Sequence, residues 1–220
     1  MDRIIRRKKV KIPKFVYLIY NYINNNKKDY LIACLLFFIG LIFGIIIVNK
    51  MEEDEISKIS EYIKLLVNNL QTIDKIDYIR LLKESITSNI IVIAIIWIAS
   101  STIIGIPIVY AEVTFRGFTL GYTISSVLMV LGTKNGIIYN TSTLLLHNII
   151  FIPVLLATAV SGMKTYKSII KNRQKDNVKL EFLRHTIFCL IMLILLVLSS
   201  IVEVYISTNF SKIIANFINI

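Results

Sequence analysis

Residues 30–48 read YLIACLLFFIGLIFGIIIV and contain no charged side chain. A helix needs about 20 apolar residues to cross the hydrocarbon of a bilayer, so this run predicts a membrane span. Backbone N–H and C=O groups in hydrocarbon must pair within the chain, and without the alternation of a barrel only helices satisfy them. The fold class is therefore all-α. Three further runs are comparably long and a fourth is shorter: Asn89 to Tyr110, Thr141 to Met163, Thr186 to Ile206, and the short Phe118 to Leu131.

Charge placement predicts how these spans are oriented. Residues 1–29 hold nine Lys and Arg against two acids, and residues 164–185 hold seven against two. In residues 49–88, by contrast, six basic residues face eight acidic ones. Because basic segments beside spans stay in the cytoplasm, we expect about five transmembrane helices over 30–206, with the N-terminus and the 164–185 loop cytoplasmic. The 49–88 loop and the tail 207–220 are then extracytoplasmic.

The net charge of +11 comes mainly from the two basic segments, residues 1–29 and 164–185. Basic residues confined to two segments beside spans favour anionic membrane lipids over nucleic acid as the partner. In the basic N-terminal arm, residues 1–29, Pro13 suits the first turn of an amphipathic helix that lies on the cytoplasmic leaflet. The lipid-binding residues that we predict beside it are Arg6, Arg7, Lys8, Lys9 and Lys11.

The 49–88 loop carries an apolar stripe at helical spacing. Its members Ile59, Ile63, Leu66 and Leu70 recur every three or four residues, which places them on one face of a helix. One interpretation is a helix that lies on the bilayer or on its own bundle. The other is a docking face for an extracytoplasmic partner or a second copy, which would make a homo-oligomer. The stripe is compatible with both, and the tail 207–220 repeats the amphipathic pattern.

The middle of the chain combines charges and small residues near hydrocarbon. Glu112 and Arg116 are spaced i, i+4, as an intrahelical ion pair requires. Gly117 and Gly121 form a G-x-x-x-G pattern, which lets helix backbones approach closely, and Gly40 and Gly44 repeat it.

The short third run is tilted, re-entrant or extended through Arg116. Gly105 and Pro107 interrupt the end of the second run. His147, Asn148 and Pro153 form a polar, kink-prone patch in the fourth run, for which interhelical hydrogen bonding is favoured over a proton relay. We assign Glu112, Arg116, Gly117, Gly121, Asn148 and Pro153 to bundle geometry.

Enzyme chemistry is hard to build from this sequence. It contains two histidines, His147 and His185, and no H-E-x-x-H, G-x-S-x-G, Walker-type or clustered Cys/His pattern. Nothing in the spacing brings Glu112 and His147 together as an acid and base pair. We therefore expect a protein that is not an enzyme and needs no cofactor or metal.

Three motifs resemble the stage II sporulation protein M family. They are Arg116-Gly117-Phe118-Thr119-Leu120-Gly121-Tyr122, then Lys134-Asn135-Gly136, then His147-Asn148-Ile149-Ile150-Phe151-Ile152-Pro153. The order of basic arm, first span, outer helical loop, basic loop and last span also resembles this family over essentially the whole chain. The family usually has a Pro-Gln-Asn-like element where this chain has Leu146-His147-Asn148.

This resemblance implies a noncatalytic scaffold in the cell membrane of endospore-forming bacteria. It would act at the sporulation septum and the engulfing membrane of the mother cell. Its implied partners are stage II sporulation proteins D and P, which degrade peptidoglycan during engulfment. The alternative from the residues is a small permease or transporter subunit, with His147 and the broken second and third runs lining a pathway.

Overall fold

The computed structural model describes residues 14–72, 76–102, 105–171 and 175–217. Within these ranges the chain is helical and forms no strand, which confirms the all-α class. The α-helices are α1 (Lys14–Asn25), α2 (Lys27–Asn49), α3 (Glu53–Thr72), α4 (Tyr78–Ser100), α5 (Gly105–Asn140), α6 (Leu146–Lys171), α7 (Lys175–Ile201) and α8 (Thr208–Phe217). Two π-helical segments, Thr141–Leu145 and Val202–Ser207, join α5 to α6 and α7 to α8.

Five helical stretches in the described part of the chain are long and apolar enough to cross a membrane, as the sequence predicts. The core between them is built from Val92 and Ile96 of α4, Val113 of α5, Leu155 of α6 and Leu196 of α7. Large apolar side chains on the outer surfaces of these helices remain exposed, as expected of a surface that faces lipid. The five stretches are Lys27–Asn49, Tyr78–Ser100, Gly105–Leu144, His147–Ile170 and Val178–Phe217.

The bundle has two chemically different ends. At one end Lys167 of α6 pairs with Asp29 of α2 at 2.5 Å, so the basic 164–185 segment lies beside the end of the N-terminal arm. We call this the basic end. At the other end α3 packs against α8. We call these two helices the covering layer. Residues Arg6 to Lys11, the predicted lipid-binding cluster, lie outside the described residues.

The second and third spans begin and end elsewhere than the sequence predicts. The second was expected over Asn89 to Tyr110, but α4 begins at Tyr78 and ends at Ser100. At its start, Asp77 accepts a hydrogen bond from the backbone N–H of Arg80 at 3.0 Å, which caps the helix inside the expected 49–88 loop. At its end, the backbone N–H groups of Ser101 and Thr102 donate to carbonyls three residues earlier instead of four, so the last turn tightens and the helix stops. Gly105 and Pro107 therefore do not interrupt the second span; they begin the third, with proline in the first turn.

The short third run is part of a longer helix. The first part of helix α5 runs from Gly105 through Arg116 to Gly132, which confirms that the third run is extended through Arg116. Gly132 has φ 75° and ψ 166°, a conformation essentially restricted to glycine, and the chain reverses there. Beyond it, the Asn140 side chain donates to the Ile124 carbonyl at 3.1 Å. The two parts of α5 thus form an antiparallel hairpin, and the chain then crosses the bundle again as α6.

Helices α2 and α5 touch through their backbones. A Cβ atom at Gly117 would overlap the carbonyl oxygen of Phe37, and one at Gly40 would overlap that of Thr114. Gly44 and Gly121 meet the partner backbone in the same way one turn along. The two G-x-x-x-G patterns therefore pack against each other within one chain.

This contact predicts the effect of a single methyl group. Alanine has a helix propensity about 1 kcal/mol better than that of glycine, yet Gly117→Ala must push α2 away. We expect a net loss of about 1–3 kcal/mol of stability, typical of overpacking, seen as a lower unfolding temperature in detergent. The exposed Ala111 of the same helix offers a control, because Ala111→Leu adds bulk where nothing packs. Equal unfolding temperatures for Gly117→Ala and the parent would contradict the close contact.

Candidate functional site

The covering layer is held to the bundle by a second apolar cluster. Ile63 and Val67 of α3 are buried against Val127 and Leu131 of α5 and Ala215 of α8. At the junction with α4, the ring of Tyr78 stacks on Tyr205 at 5.2 Å, and its hydroxyl donates to Asn209 at 2.9 Å. The layer is thus fixed to the spans by packing and by hydrogen bonds.

The predicted docking stripe faces mainly inward. Ile63 is buried, and Ile59 and Leu70 pack partly buried on the same cluster. Leu66 remains 40% exposed at the edge of the stripe. This orientation matches the interpretation of a helix that lies on its own bundle.

A different set of apolar side chains faces outward from α3. Tyr62 is 64% exposed and Leu65 is 52% exposed, and they adjoin Leu66. We call Tyr62, Leu65 and Leu66 the outer patch. Tyr62 and Leu65 were missed because the three-and-four spacing selects the most continuous apolar face, and that face is the buried one.

Beneath the covering layer lies a polar cavity of about 220 Å³. It opens between α4, α5, α6 and the second π-helical segment. The predicted residues Arg116, His147 and Asn148 line it together with Glu203 of that segment. The remaining lining residues are Ser85, Ser88, Asn89, Thr119, Leu120, Thr123, Leu144 and Phe151.

Arg116 and Glu112 form the ion pair that their spacing predicts. Arg116 Nε donates to Glu112 Oε1 at 3.0 Å, and the two side chains are 25% and 11% exposed. The guanidinium carbon also lies 5.7 Å from the centre of the Phe151 ring of α6, within range of a cation–π contact. The pair therefore neutralises a charge at membrane depth and links α5 to α6.

His147 belongs to a chain of polar contacts that crosses three helices. Its Nδ1 lies 2.9 Å from Ser199 Oγ and 3.4 Å from Glu203 Oε2. Ser85 of α4 donates to that same Glu203 oxygen at 2.5 Å, which extends the chain from α6 and α7 to α4. Asn89 of α4 and Ser200 of α7 extend it further, at 2.8 Å. The sequence offered one signal for this cluster: Ser, Ser and Glu within the last apolar run.

The remaining predicted residues separate into different parts of the bundle. Asn148 lines the cavity, but its amide donates to the carbonyl of Leu144, one turn earlier and within the first π-helical segment. Gly117 and Gly121 lie at the contact with α2, and Pro153 lines an apolar groove on another side of α6. Glu112 reaches the cavity only through Arg116. Among the described residues no cluster of three or more His, Cys, Asp or Glu side chains could hold a metal ion.

The Glu112–Arg116 pair predicts a contrast with a matched surface pair. Arg116→Met leaves Glu112 an unpaired, mostly buried acid, and breaking such a pair costs about 3–5 kcal/mol of stability. The control is Arg80→Met, which breaks an i, i+4 pair with Glu84 of the same 3.0 Å length whose side chains are 76% and 60% exposed. That change should cost at most about 1 kcal/mol.

Thermal unfolding in detergent measures both effects. The double variant Glu112→Leu with Arg116→Met should recover most of the loss, because no unpaired charge remains. Equal effects of Arg116→Met and Arg80→Met would show that the intramembrane pair is no more important than a surface pair.

Two comparisons relate this architecture to known proteins. The family model described as stage II sporulation protein M matches residues 33–208. An uncharacterized protein of Methanocaldococcus jannaschii is 28% identical over 185 residues, which cover 80% of this chain and 92% of that protein. No solved structure matches the chain. The family match begins in α2 and ends in α8, so it covers all five membrane helices, and the chain belongs to the stage II sporulation protein M family.

Proposed function

We propose that this protein is a noncatalytic membrane scaffold that recruits and localises peptidoglycan hydrolases at the sporulation septum during engulfment. Family membership associates it with sporulation-related membrane proteins, and five apolar helices make it multi-pass. The proposed partners are stage II sporulation proteins D and P. The proposed location is the septum and the engulfing membrane of the mother cell.

The covering layer is the observation that carries this proposal. Basic residues beside spans are retained in the cytoplasm, so the basic end is the cytoplasmic one and the covering layer lies outside. Peptidoglycan lies on that side. A covering layer that presents the outer patch offers an extracytoplasmic partner an apolar surface to pack against. Aromatic side chains such as Tyr62 are typical of the residues that dominate such interfaces.

The internal pairing of the polar cavity also supports a structural role. The Arg116 Nε is bonded to Glu112, and His147 and Ser85 are bonded to neighbours on other helices. Groups engaged in this way hold helices together. The cavity then fixes the bundle geometry behind the outer patch, in keeping with the role predicted for Arg116 and Asn148.

The scaffold proposal predicts a selective loss of binding. Tyr62→Ser with Leu65→Ser removes two exposed apolar side chains and leaves the buried Ile63 in place. We expect co-purification of hydrolases from crosslinked sporulating cells to fall by at least about tenfold, equivalent to about 1.4 kcal/mol. The protein should still accumulate in the membrane, because the packing of α3 on α5 is unchanged.

A control lies at the same end of the bundle. Ile79 in the first turn of α4 is 80% exposed, and Ile79→Ser removes a comparable apolar side chain outside the outer patch. It should leave co-purification at the parental level. Undiminished recovery of the hydrolases by the Tyr62/Leu65 variant would refute the outer patch as the docking face.

A small permease is the second candidate, and the polar cavity is the observation that favours it. Glu112, Arg116 and His147 are ionisable groups at membrane depth, which frequently mark solute or proton pathways. Transport predicts that the double variant Glu112→Leu with Arg116→Met, in which no unpaired charge remains, abolishes solute flux into vesicles while the protein remains folded. A scaffold bearing the same substitutions keeps its hydrolases, so flux and co-purification together separate the two functions.

A further inference from the structure

An apolar groove of about 720 Å³ lies between α1, α2, α6 and α7. Pro153 and Ala157 of α6 form one side, and Phe188 and Leu195 of α7 form the other. Tyr22 of α1 closes the groove on the side nearest the basic end of the bundle, where its ring stacks on Phe188 at a centroid distance of 5.8 Å. From Phe188 to Leu195 helix α7 rises about 10 Å, so the groove follows the spans into the hydrocarbon.

Helix α1 has the surface of a helix that lies at a membrane interface. Tyr17, Tyr20 and Ile23 are 55%, 64% and 42% exposed. Exposed tyrosines are typical of the level of lipid headgroups, because the ring sits in an apolar layer and the hydroxyl in a wet one. The Tyr22 end of the groove is therefore at headgroup depth.

Tyr22 connects the groove to charged groups. It lies close enough to Ser161 and to the carboxylates of Glu181 and Asp29 to interact with them electrostatically. The phenol of Tyr22 is neutral at physiological pH and does not repel an anion, and burial raises its pKa further.

The charged groups at this end have a positive excess. Glu181 Oε1 accepts a hydrogen bond from Arg184 at 3.2 Å and forms an ion pair with Lys164 at 3.7 Å, and Asp29 pairs with Lys167. Three cations thus share two carboxylates. Their side chains are 47%, 62% and 53% exposed, in the same order, so each can still reach a further anion.

We propose that this groove binds one anionic phospholipid. An acyl chain lies between Pro153, Ala157 and Phe188, and the phosphate contacts Lys164, Lys167 and Arg184. An apolar channel that ends at headgroup depth beside surplus cations matches a molecule with an apolar tail and an anionic head. The site differs from the basic cluster Arg6 to Lys11, since it selects one lipid by shape and charge together.

Native mass spectrometry of the delipidated full chain tests this proposal. The protein is exposed to equal amounts of phosphatidylglycerol and phosphatidylcholine with identical acyl chains. The parent should retain phosphatidylglycerol about tenfold more, equivalent to about 1.4 kcal/mol. Ala157→Phe fills the groove and should remove this retained lipid.

Ala94 provides the matched control for the groove. It lines another apolar groove, between α4 and α7, and is half-buried like Ala157. Ala94→Phe should retain phosphatidylglycerol as the parent does. Equal retention by Ala157→Phe and Ala94→Phe overturns the site.

A charge variant tests the headgroup contact without touching the core. Lys167→Gln should lower phosphatidylglycerol retention and leave phosphatidylcholine unchanged, whereas Lys134→Gln removes an exposed charge beyond the Gly132 reversal and should change neither. Equal retention of the two lipids by the parent overturns anionic selectivity. If a peptide or a second copy of the chain is retained in place of lipid, the proposal that a phospholipid occupies the groove is wrong.

Discussion

The backbones of α2 and α5 are in direct contact at two pairs of glycines, and this contact sets how α5 is turned about its axis. Between helices in lipid there is little hydrophobic drive, so close packing at small residues supplies much of the association. With Gly117 and Gly121 against α2, the neighbouring face of α5 carries Glu112, Arg116 and Thr119, spaced four and three residues apart. That face is thereby directed toward α6. The location of the polar cavity is a consequence of where the glycines lie.

Two π-helical segments flank this cavity: the first joins the α5 hairpin to α6, and the second joins α7 to α8 of the covering layer. A π-helical turn leaves the regular hydrogen-bond ladder, and such turns are frequent at functional sites. Here side chains supply some hydrogen bonds beside the irregular backbone. The Asn148 amide donates to the Leu144 carbonyl, and the hydroxyls of Thr143 in the first segment and Ser211 in α8 are hydrogen-bonded at 2.7 Å. Polar side chains of α6 and α8 therefore make hydrogen bonds where the backbone leaves the regular helix.

The sequence was sufficient for the fold class, the five spans and the i, i+4 ion pair, because each depends on local composition or spacing. The break between the second and third spans was misplaced, since Ile103 and Ile104 are as apolar as their neighbours and only Ser101 and Pro107 mark it. The His147–Glu203 contact could not be predicted from spacing, because it joins residues on α6 and the second π-helical segment. The direction of the α3 stripe was also open, since a pattern shows that a face is apolar but not what covers it.

The path from Val178 to Phe217 is helical throughout, from near the basic end to the covering layer. A helix is stiff along its axis, so the two sides of the membrane share one mechanical element. The π-helical turn at Val202–Ser207 is the least regular point of this element, and Glu181 and Arg184 lie near its other end. A displacement of α8 relative to the spans therefore acts on α7 through this turn and not through a separate loop.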